Sequence, residues 1–575
     1  MTMFYKQIIR FCIFGFLSVW FIVTFAAFFS MYSLWWNRER VEYLDSDIIE
    51  QRKIIFQKAG MPHSYLEALV KIKEKLPEFA HYTLKGQVVQ GSYLTYLLIP
   101  RVPDGYKGNS LTLGDTVDIV TETVPAAREP SSSGVDASAG FKSIFFSFGL
   151  IIGLVFLLKL WKILSVFSMP ELFAAVCLFV HSMVVLSKIF FQQAVPAFWL
   201  ITALGVSGWV LAGKNSLQDR LNIRFKISVL QHKWLFTGAA IVLLSVLWSL
   251  LMAVVVVPDD WDAWAIWGSK AKMLVLGNGP LVDVSYFGHM DYPLLWPAVW
   301  AFSSWFAGGW EELWSKGWGA VFLFLCCWEI AVIIQRNTSR LDLGVFAGAL
   351  FASIPLVPLI ASWSYAEAPY WLISLSAFGC LLMWRTSRKN ICLIWAALLC
   401  AAAAYTKNEG VLFFAAALLW VILEPGEKVR STLLFAVIFL LLYSPWYYWV
   451  NIVNDFASHA TTGLVLSSDS LLHAMDRLPK ALGKIGIMYS DIKQWNLVLW
   501  GLGAVWIFSL WKPKTYIDLL MPVFILSGYL IIVIFHHADI YWQVGTSWNR
   551  LSLQILPLLI VVVVPRVWDQ WKGIL

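Results

Sequence analysis

The sequence predicts an all-α polytopic membrane protein, with about fourteen transmembrane helices and a small α+β domain near the N-terminus that lies outside the membrane. Of its 575 residues, 59% are hydrophobic and only 14% are charged, whereas about 25% of the residues of a soluble domain are charged. Apolar runs long enough to cross a bilayer recur along the chain. The 33 Trp, 20 Tyr and 39 Phe residues suit membrane interfaces. This composition excludes a soluble enzyme, a disordered protein and a nucleic-acid-binding module.

The first predicted element is an apolar helix near the N-terminus. Lys6 and Arg10 precede residues 11–36, which contain no charge. This stretch is too long for the core of a signal peptide, and it has no small-residue cleavage site. We therefore predict an uncleaved signal-anchor helix in residues 1–36. The seven cysteines lie inside apolar runs without the spacing of metal ligands, so we do not expect a disulfide framework.

The second predicted unit is an extracytoplasmic domain in residues 37–141, which are charged and mixed in composition. The pattern favours a helix over 64–76 and strands over 93–99 and 117–123. A stretch rich in Pro, Ser, Ala and Gly follows at 125–140 and is typical of a linker. A small α+β domain with a linker fits this part of the chain.

Fourteen apolar runs predict the transmembrane helices, four of them in or before an accessory region at 142–233 and the remainder in a membrane module at 234–575. The runs are 11–34, 143–162, 168–188, 194–213, 234–257, 315–335, 342–361, 366–384, 391–405, 411–424, 431–450, 493–511, 516–535 and 550–566. The run 293–306 is shorter and contains two prolines, so we interpret it as a helix in the membrane interface.

Charge sets the predicted orientation. With 293–306 left outside, Lys and Arg concentrate in the predicted cytoplasmic gaps 214–233, 336–341, 385–390, 424–430 and 512–515. Cytoplasmic loops of membrane proteins carry this excess of basic residues. Both termini are then cytoplasmic, and most acidic residues lie on the outer side.

Acidic residues cluster directly after the fifth apolar run. Asp259, Asp260 and Asp262 stand within four residues, and Lys270 and Lys272 follow. Carboxylates this close repel one another, which raises the pKa of at least one of them. Such a group can accept a proton from a hydroxyl, and the cluster can also bind a divalent ion. The alternative is a solvated helix end beside an aromatic belt.

Further polar groups fall on the same predicted side. They are His289, Asp291 and Tyr292 before the short run, Tyr365 and Glu367 at the start of a span, and Lys407 and Glu409 between two spans. Each of them can contribute to a substrate site. A Glu paired with Lys407 is equally compatible with a purely structural role, because unpaired charge at membrane depth is costly.

A last cluster precedes the final apolar run. His536, His537, Asp539 and Trp542 stand before it, and Arg550 begins it. An Arg in this position can hold a phosphate with two hydrogen bonds. Adjacent histidines point in different directions on a regular element, so a two-histidine metal site is not expected.

In these places the sequence resembles the GT-C class of integral-membrane glycosyltransferases, near the relatives of protein mannosyltransferases and of the aminoarabinose transferases that modify lipid A. The resemblance covers residues 234–566. An acid follows a span in the first large outer loop of that class, as Asp260 and Asp262 do here. The other similar elements are 289–294, a loose version of a His-Pro-Pro-Leu-like element, the acidic helix end 365–369, the Lys-Gly-like break 407–410, and Asp539, Trp542 and Arg550. Four spans and an outer domain before the module depart from the class.

The resemblance implies a transferase with a polyprenyl-phosphate-linked sugar as donor and a lipid, glycan or protein hydroxyl as acceptor. Asp262 or Asp260 would take the proton of the acceptor, and Lys407 and Arg550 would stabilise the leaving lipid phosphate. Inversion at the anomeric carbon is implied as well. The expected location is the plasma (inner) membrane, with the site on the extracytoplasmic side. No cofactor is certain, although the acids leave room for a divalent metal ion.

Two other classes of protein stay open. A lipid-linked-glycan flippase or other transporter fits fourteen spans, but transporters usually place charges near the bilayer midplane in pseudo-symmetric halves. An O-antigen ligase or polymerase would depend on Arg and His in one large outer loop. The loop 451–492 has only His459, His473 and Arg477 of these types.

Overall fold

The structure is a computed structural model that describes most of the chain after residue 136 and shorter parts before it. The described residues are 3–34, 81–85, 102–103, 110–113, 117–120, 137–159, 164, 166–214, 229–256, 258, 260–277, 281–285, 289–425, 428–454, 456, 470–509, 516–536 and 538–571. Helices account for nearly all of these residues.

The α-helices of the described residues are numbered here in chain order. They are α1 (Met3–Leu34), α2 (Ala137–Lys159), α3 (Met169–Phe191), α4 (Val195–Lys214), α5 (Val229–Val255), α6 (Ser269–Leu276), α7 (Leu281–Ser285), α8 (Leu295–Trp305), α9 (Trp318–Thr338), α10 (Leu341–Ala352), α11 (Leu356–Ser362), α12 (Glu367–Ser387), α13 (Asn390–Thr406), α14 (Glu409–Leu423), α15 (Lys428–Tyr448), α16 (Ser470–Tyr489), α17 (Ile492–Trp495), α18 (Val498–Ser509), α19 (Tyr516–Phe535) and α20 (Ile540–Trp571). Two π-helical turns adjoin these helices. Ala263–Gly268 leads into α6, and Trp449–Val453 follows α15.

Seven helical segments are long and apolar enough to cross a membrane. They are Phe141–Lys159, Met169–Phe191, Trp234–Val255, Trp314–Thr338, Lys428–Val453, Ile517–Phe535 and Ile540–Asp569. The helices α10 and α11 meet these criteria together but are bent by 71° at a short break. The protein is therefore a multi-pass helical membrane protein with seven or eight candidate spans in its described residues. The other predicted runs form helices that are shorter or less apolar, such as α4, α13 and α14, so the count of fourteen stays a prediction.

The bent pair α10 and α11 acts as one broken span. Arg336, in the last turn of α9, donates to Glu171 in the first turn of α3 over 2.6 Å. The helix α12 begins at the other end of the bundle, beside Lys407, which binds its first residue, Glu367. The chain must cross the bundle between these two ends, and only α10 and α11 lie between α9 and α12. The described residues thus contain eight candidate spans by length and composition when this pair counts as one.

The short run 293–306 is a helix buried within the bundle, and its place at the membrane interface stays a prediction. It forms α8, whose 11 residues span about 16 Å at 1.5 Å per residue, too short to cross a bilayer. Its side chains from Leu295 to Ser304 are all buried. The run is buried because α2, α3, α6 and α13 surround it.

The helix α12 forms the centre of the bundle. It packs against α3, α9, α13 and α20, and nearly all of its residues are buried. Pro369 stands in its first turn, where a missing N–H costs no hydrogen bond. Its charged residues are confined to its ends, at Glu367 and at Arg385. This helix therefore fixes the position of Glu367 within the protein.

Short strands occur in the region predicted as an extracytoplasmic domain. The strands β1 (His81–Lys85), β2 (Val102–Pro103), β3 (Ser110–Leu113) and β4 (Val117–Val120) pair in the order β2-β1-β3-β4. β4 matches the first part of the predicted strand 117–123. The predicted helix 64–76 and the predicted strand 93–99 lie outside the described residues. The end of the predicted linker is helical, because α2 begins at Ala137.

Candidate functional site

Five separate segments of the chain meet at one end of the bundle. They are the residues around Asp262 after α5, the turn with His289, Asp291 and Tyr292, the start of α12 with Tyr365 and Glu367, the break between α13 and α14 with Lys407 and Glu409, and α20 with Arg550. The sequence predicted a common side for these segments. The structure brings their side chains into one network of contacts, which we call the charged cluster.

Arg550 joins three parts of the charged cluster. Its guanidinium donates to Asp262, lies 3.9 Å from the Glu367 carboxylate, and stands over the Tyr365 ring at 4.9 Å from the ring centre. The prediction that Arg550 begins the last helix is wrong. α20 begins at Ile540, so Arg550 lies about 15 Å along its axis.

Arg550 is held in this helix because the polar residues before it are satisfied by neighbouring elements. Trp548 donates to the Tyr489 hydroxyl over 2.9 Å, and Asn549 donates to Gln494 over 2.8 Å. A stretch that is polar in sequence therefore continues as a helix, with Arg550 inside a candidate span. An intramembrane cation of this kind usually has a functional reason.

Lys407 occupies the break between α13 and α14. Its ammonium group donates to Glu367 over 2.8 Å and lies 3.1 Å from Glu409. Lys407 and Glu367 are both buried. Because one oxygen of Glu367 contacts both Lys407 and Arg550, this carboxylate holds the two cations close together.

The helical break that carries Lys407 depends on a small residue. A Cβ atom added to Gly410 would lie 2.3 Å from the backbone carbonyl carbon of Ala403, a distance that real Cβ atoms do not reach. α14 can therefore turn back closely against α13 only with glycine here. This close turn is what places Lys407 and Glu409 side by side.

The turn before α8 is fixed by Lys270. The buried ammonium group of Lys270 donates to the carbonyls of His289 (2.7 Å) and Tyr292 (2.9 Å). Burial lowers the pKa of Lys270 to about 7, although the nearby charge of Asp291 opposes this effect. In the structure Lys270 thus holds the backbone of the turn, and its predicted contact with substrate stays a prediction.

The same turn presents three polar side chains. Asp291 accepts a hydrogen bond of 2.6 Å from Asn408, which links the turn to the helical break. The rings of Trp267, Tyr292 and His289 form a continuous stack, with ring centres 5.4 Å and 4.7 Å apart. Burial lowers the pKa of His289 and raises that of Tyr292, so both rings are neutral at neutral pH. His289 adopts a left-handed φ of 53°, which is uncommon for a residue other than glycine and indicates a conformation imposed by its surroundings.

Asp260 lies near the cluster but at its margin. Its carbonyl accepts hydrogen bonds from the backbone N–H groups of Ala263 (3.1 Å) and Trp264 (3.4 Å). Burial, followed by the charges of Asp262 and Asp260, raises the pKa of Tyr365. Both aspartates therefore stay candidates for one site. Asp262 directly precedes the π-helical turn Ala263–Gly268, a type of turn that is frequent at functional sites.

The charged cluster contains more carboxylates than cations. The carboxylates are Asp262, Asp291, Glu367 and Glu409, and the cations are Arg550 and Lys407. Three buried carboxylate oxygens have no hydrogen-bond partner among the described residues, namely Oδ1 of Asp291, Oε2 of Glu367 and Oε2 of Glu409. The site therefore has capacity for further hydrogen-bond donors.

The remaining predicted site residues lie away from the cluster or outside the described residues. Lys272 is buried but stands two positions from Lys270, on a different face of α6. Asp539 accepts from the backbone N–H of Trp542 and so begins α20. Trp542 is 60% exposed and lies about 12 Å along the helix from Arg550. Asp259 and His537 lie outside the described residues.

Asn408 is a member of the cluster that sequence reasoning did not select. Its position between Lys407 and Glu409 was the available signal, because a side chain in the helical break is close to both charged neighbours. The described part of the chain contains no group of three or more His, Cys, Asp or Glu residues that could hold a metal ion.

Comparisons of this chain with protein-family models, with curated proteins and with solved structures find no match. The fold and the charged cluster define a class, a multi-pass helical membrane protein with a buried ionic site at one end of its bundle. The resemblance to GT-C glycosyltransferases rests on the sequence elements alone and stays a prediction.

Proposed function

We propose that this protein is a glycosyltransferase that moves a sugar from a polyprenyl-phosphate-linked donor to a hydroxyl of a lipid, glycan or protein acceptor. The observation that carries the proposal is the contact of Arg550 with Asp262, beside a second cation, Lys407, held by the same glutamate. A lipid-linked donor needs cations for its phosphate and a carboxylate for the acceptor proton, all at the edge of the bilayer. The charged cluster contains both kinds of group.

The ion pair provides a way to couple donor binding to catalysis. While Arg550 binds Asp262, this carboxylate is engaged and is a weak base. A donor phosphate that binds Arg550 with two hydrogen bonds competes with Asp262 for the guanidinium. Asp262 is then released to accept the proton of the acceptor hydroxyl as the oxygen attacks the anomeric carbon. Arg550 and Lys407 stabilise the charge that develops on the leaving phosphate.

The proposed location is the plasma (inner) membrane, with fourteen spans and the charged cluster on the extracytoplasmic side. Arginines support this orientation, because they lie at the end of the bundle opposite the cluster. Arg385 and Arg566 bind Asp518 there, and Arg388 binds Glu424. Cytoplasmic ends of membrane proteins are enriched in such residues.

The test is an assay with the purified full-length protein and synthetic undecaprenyl-phosphate monosaccharides, offered with a panel of lipid, glycan and peptide acceptors. We expect free undecaprenyl phosphate to appear together with a glycosylated acceptor. Asp262→Asn should stop the reaction. The matched control is Asp476→Asn, since Asp476 is an exposed carboxylate of α16 that pairs with Lys480. The absence of product with every donor and acceptor would contradict the proposal.

A transporter of lipid-linked glycans is the second candidate, and one observation favours it. Arg550 lies inside a candidate span and α10 and α11 form a broken span, features that transporters use at their binding sites. Movement of a fluorescent polyprenyl-phosphate sugar across proteoliposomes without any acceptor would support this candidate. The ligase or polymerase alternative gains nothing here, because Arg477 donates to the backbone carbonyl of Val533 in α19.

A further inference from the structure

A second polar layer lies one helical turn below the charged cluster. Tyr370 follows Glu367 by three positions on α12, and Gln554 follows Arg550 by four positions on α20. Residues three or four positions apart share a helix face. Both side chains therefore lie on the same faces as the charged residues, deeper in the bundle.

Tyr529 of α19 completes this layer. Its hydroxyl donates to the Gln554 side-chain oxygen over 2.7 Å. The neighbouring Gly528 approaches Leu412 of α14 so closely that a Cβ atom would lie 2.7 Å from it, and Leu412 stands one turn after Glu409. The two layers are thus adjacent.

The hydrogen-bonding groups of the two layers are complementary but unsatisfied. In the lower layer, the Gln554 amide nitrogen has no hydrogen-bond partner in the part of the chain that is described, and the Tyr370 hydroxyl has none apart from the neighbouring Tyr529 hydroxyl. In the upper layer, one oxygen of Glu367 and one of Glu409 are likewise unpaired. Tyr370 and Gln554 are each 1% exposed and Glu367 is fully buried. Buried polar atoms are nearly always paired with protein, water or a ligand, so we expect water or a ligand to bind these atoms.

We propose that this space is a subsite for a hydroxyl-rich, uncharged group of the ligand. An occupant must donate to the carboxylate oxygens above and accept from the phenol and amide below. A hydroxyl does both, whereas a phosphate offers only acceptors and an ammonium group only donors. The inference rests on the proposed function in one respect, since the hydroxyls would then belong to the sugar of the donor. Water has the same hydrogen-bonding chemistry and is the competing occupant.

The test measures the melting temperature of the purified full-length protein with two probes. One is undecaprenyl phosphate, and the other is a set of undecaprenyl-phosphate monosaccharides comprising a hexose, an N-acetylhexosamine and a pentose. We expect the lipid phosphate alone to raise the melting temperature of the wild type, and at least one sugar to add a further rise. Tyr370→Phe and Gln554→Leu should keep the first rise and lose the second.

Tyr405→Phe is the matched control, because Tyr405 is a half-buried phenol outside the layer whose hydroxyl donates to the Leu442 carbonyl. It should keep both rises. A sugar-dependent rise that survives in both Tyr370→Phe and Gln554→Leu overturns the subsite. A wild type without any sugar-dependent rise also overturns it and assigns the space to water.

If undecaprenyl phosphate gives no rise in the wild type, the phosphate-dependent function fails, and methyl glycosides without a lipid tail decide the subsite. A rise with a methyl glycoside that is lost in Gln554→Leu supports the subsite independently of the phosphate. No rise with any methyl glycoside overturns it.

Discussion

Glu367 is the residue on which the geometry of both cations depends. It is fully buried, and one of its oxygens contacts Lys407 at 2.8 Å and Arg550 at 3.9 Å. Two cations this close repel each other unless an anion lies between them. Glu367 therefore keeps Lys407 and Arg550 near each other before any ligand binds. The conformational entropy of these two side chains is then lost during folding and not during ligand binding.

Asp262 is the residue whose removal should reduce turnover most, and it should also lower stability because Arg550 then loses its carboxylate partner. Asp262→Asn keeps the size of the side chain but removes the carboxylate that would accept the proton. General base catalysis contributes about 10²–10⁴-fold to a rate, so we expect a loss of that order in turnover with retained membrane insertion. Asp260→Asn, at the margin of the cluster, should lose less. Near-normal turnover of Asp262→Asn in the transfer assay would exclude it as the base.

Arg550 should contribute both to stability and to donor binding. Removing one member of a fully buried ion pair costs about 3–5 kcal/mol, and the exposure of about one fifth of both side chains reduces this figure. Arg550→Gln should therefore melt at a lower temperature without donor and lose the rise caused by undecaprenyl phosphate. Arg550→Lys should recover part of the stability. A full donor-dependent rise in Arg550→Gln would leave Arg550 with a structural role only.

Lys270 makes stability depend on pH. The native pKa is about 7 and the pKa of an unfolded lysine is about 10.4. Above pH 7 the unfolded state therefore binds more protons than the native state, and the free energy of unfolding rises with pH, by up to about 1.4 kcal/mol per unit for this residue. The neutral amine still has two N–H donors for the carbonyls of His289 and Tyr292.

The comparison of wild type with Lys270→Met isolates this effect. The stability of the wild type relative to Lys270→Met should increase between about pH 7 and pH 9, measured by thermal unfolding in detergent. The control is Lys480→Met, because Lys480 is exposed and pairs with Asp476 on the surface of α16. A difference between wild type and Lys270→Met that is constant with pH would contradict the prediction.

The positions of the helices can be predicted from the sequence, whereas the contacts between the helices cannot. Apolar run length is a local property, so the runs predicted helices correctly, including the break at Lys407. The depth of Arg550 was missed because the polar residues before it looked like a loop. They are helical because α16 and α17 satisfy Trp548 and Asn549, and such partners are distant in sequence. The pairing of Asp262 with Arg550, across 288 positions, depends on tertiary packing in the same way.

The close turn between α13 and α14 should be sensitive to one added methyl group. Gly410→Ala places a Cβ atom 2.3 Å from the backbone of Ala403, so α14 must move away and carry Glu409 with it. Overpacking of this kind costs about 1–3 kcal/mol. We expect a lower melting temperature and reduced transfer.

Gly483→Ala is the control for this prediction and should have the opposite sign. Gly483 lies within α16, and nothing stands within 4 Å of a Cβ atom there. Replacing a glycine inside a helix by alanine stabilises by about 0.5–1 kcal/mol. Equal melting temperatures for Gly410→Ala and the wild type would show that α14 adapts without strain.

The two ends of the bundle differ in the charged residues that they contain. The cluster end has an excess of carboxylates around Lys407 and Arg550. The opposite end has arginines on shared acids, with Asp518 accepting from Arg385, Arg566 and the Trp420 indole. Asp518 thereby joins α12, α14, α19 and α20 at one point. This difference between the ends is what the positive-inside rule produces in an oriented membrane protein, and it predicts which end faces the cytoplasm.

Labelling of single cysteines tests this orientation. Gly309→Cys and Ala538→Cys lie at the cluster end, outside the candidate spans, whereas Asn337→Cys lies beside Arg336 at the opposite end. The six described native cysteines are buried, and all seven are replaced by serine or alanine in the labelled protein. A membrane-impermeant maleimide should label positions 309 and 538 on intact cells, and position 337 only after permeabilisation. Because α10 and α11 count as one crossing in this arrangement, labelling of 309 without 538 would mean that they enter and leave the membrane on the same side. Labelling of 337 alone would reverse the whole molecule and put the charged cluster in the cytoplasm, where an extracytoplasmic acceptor cannot reach it.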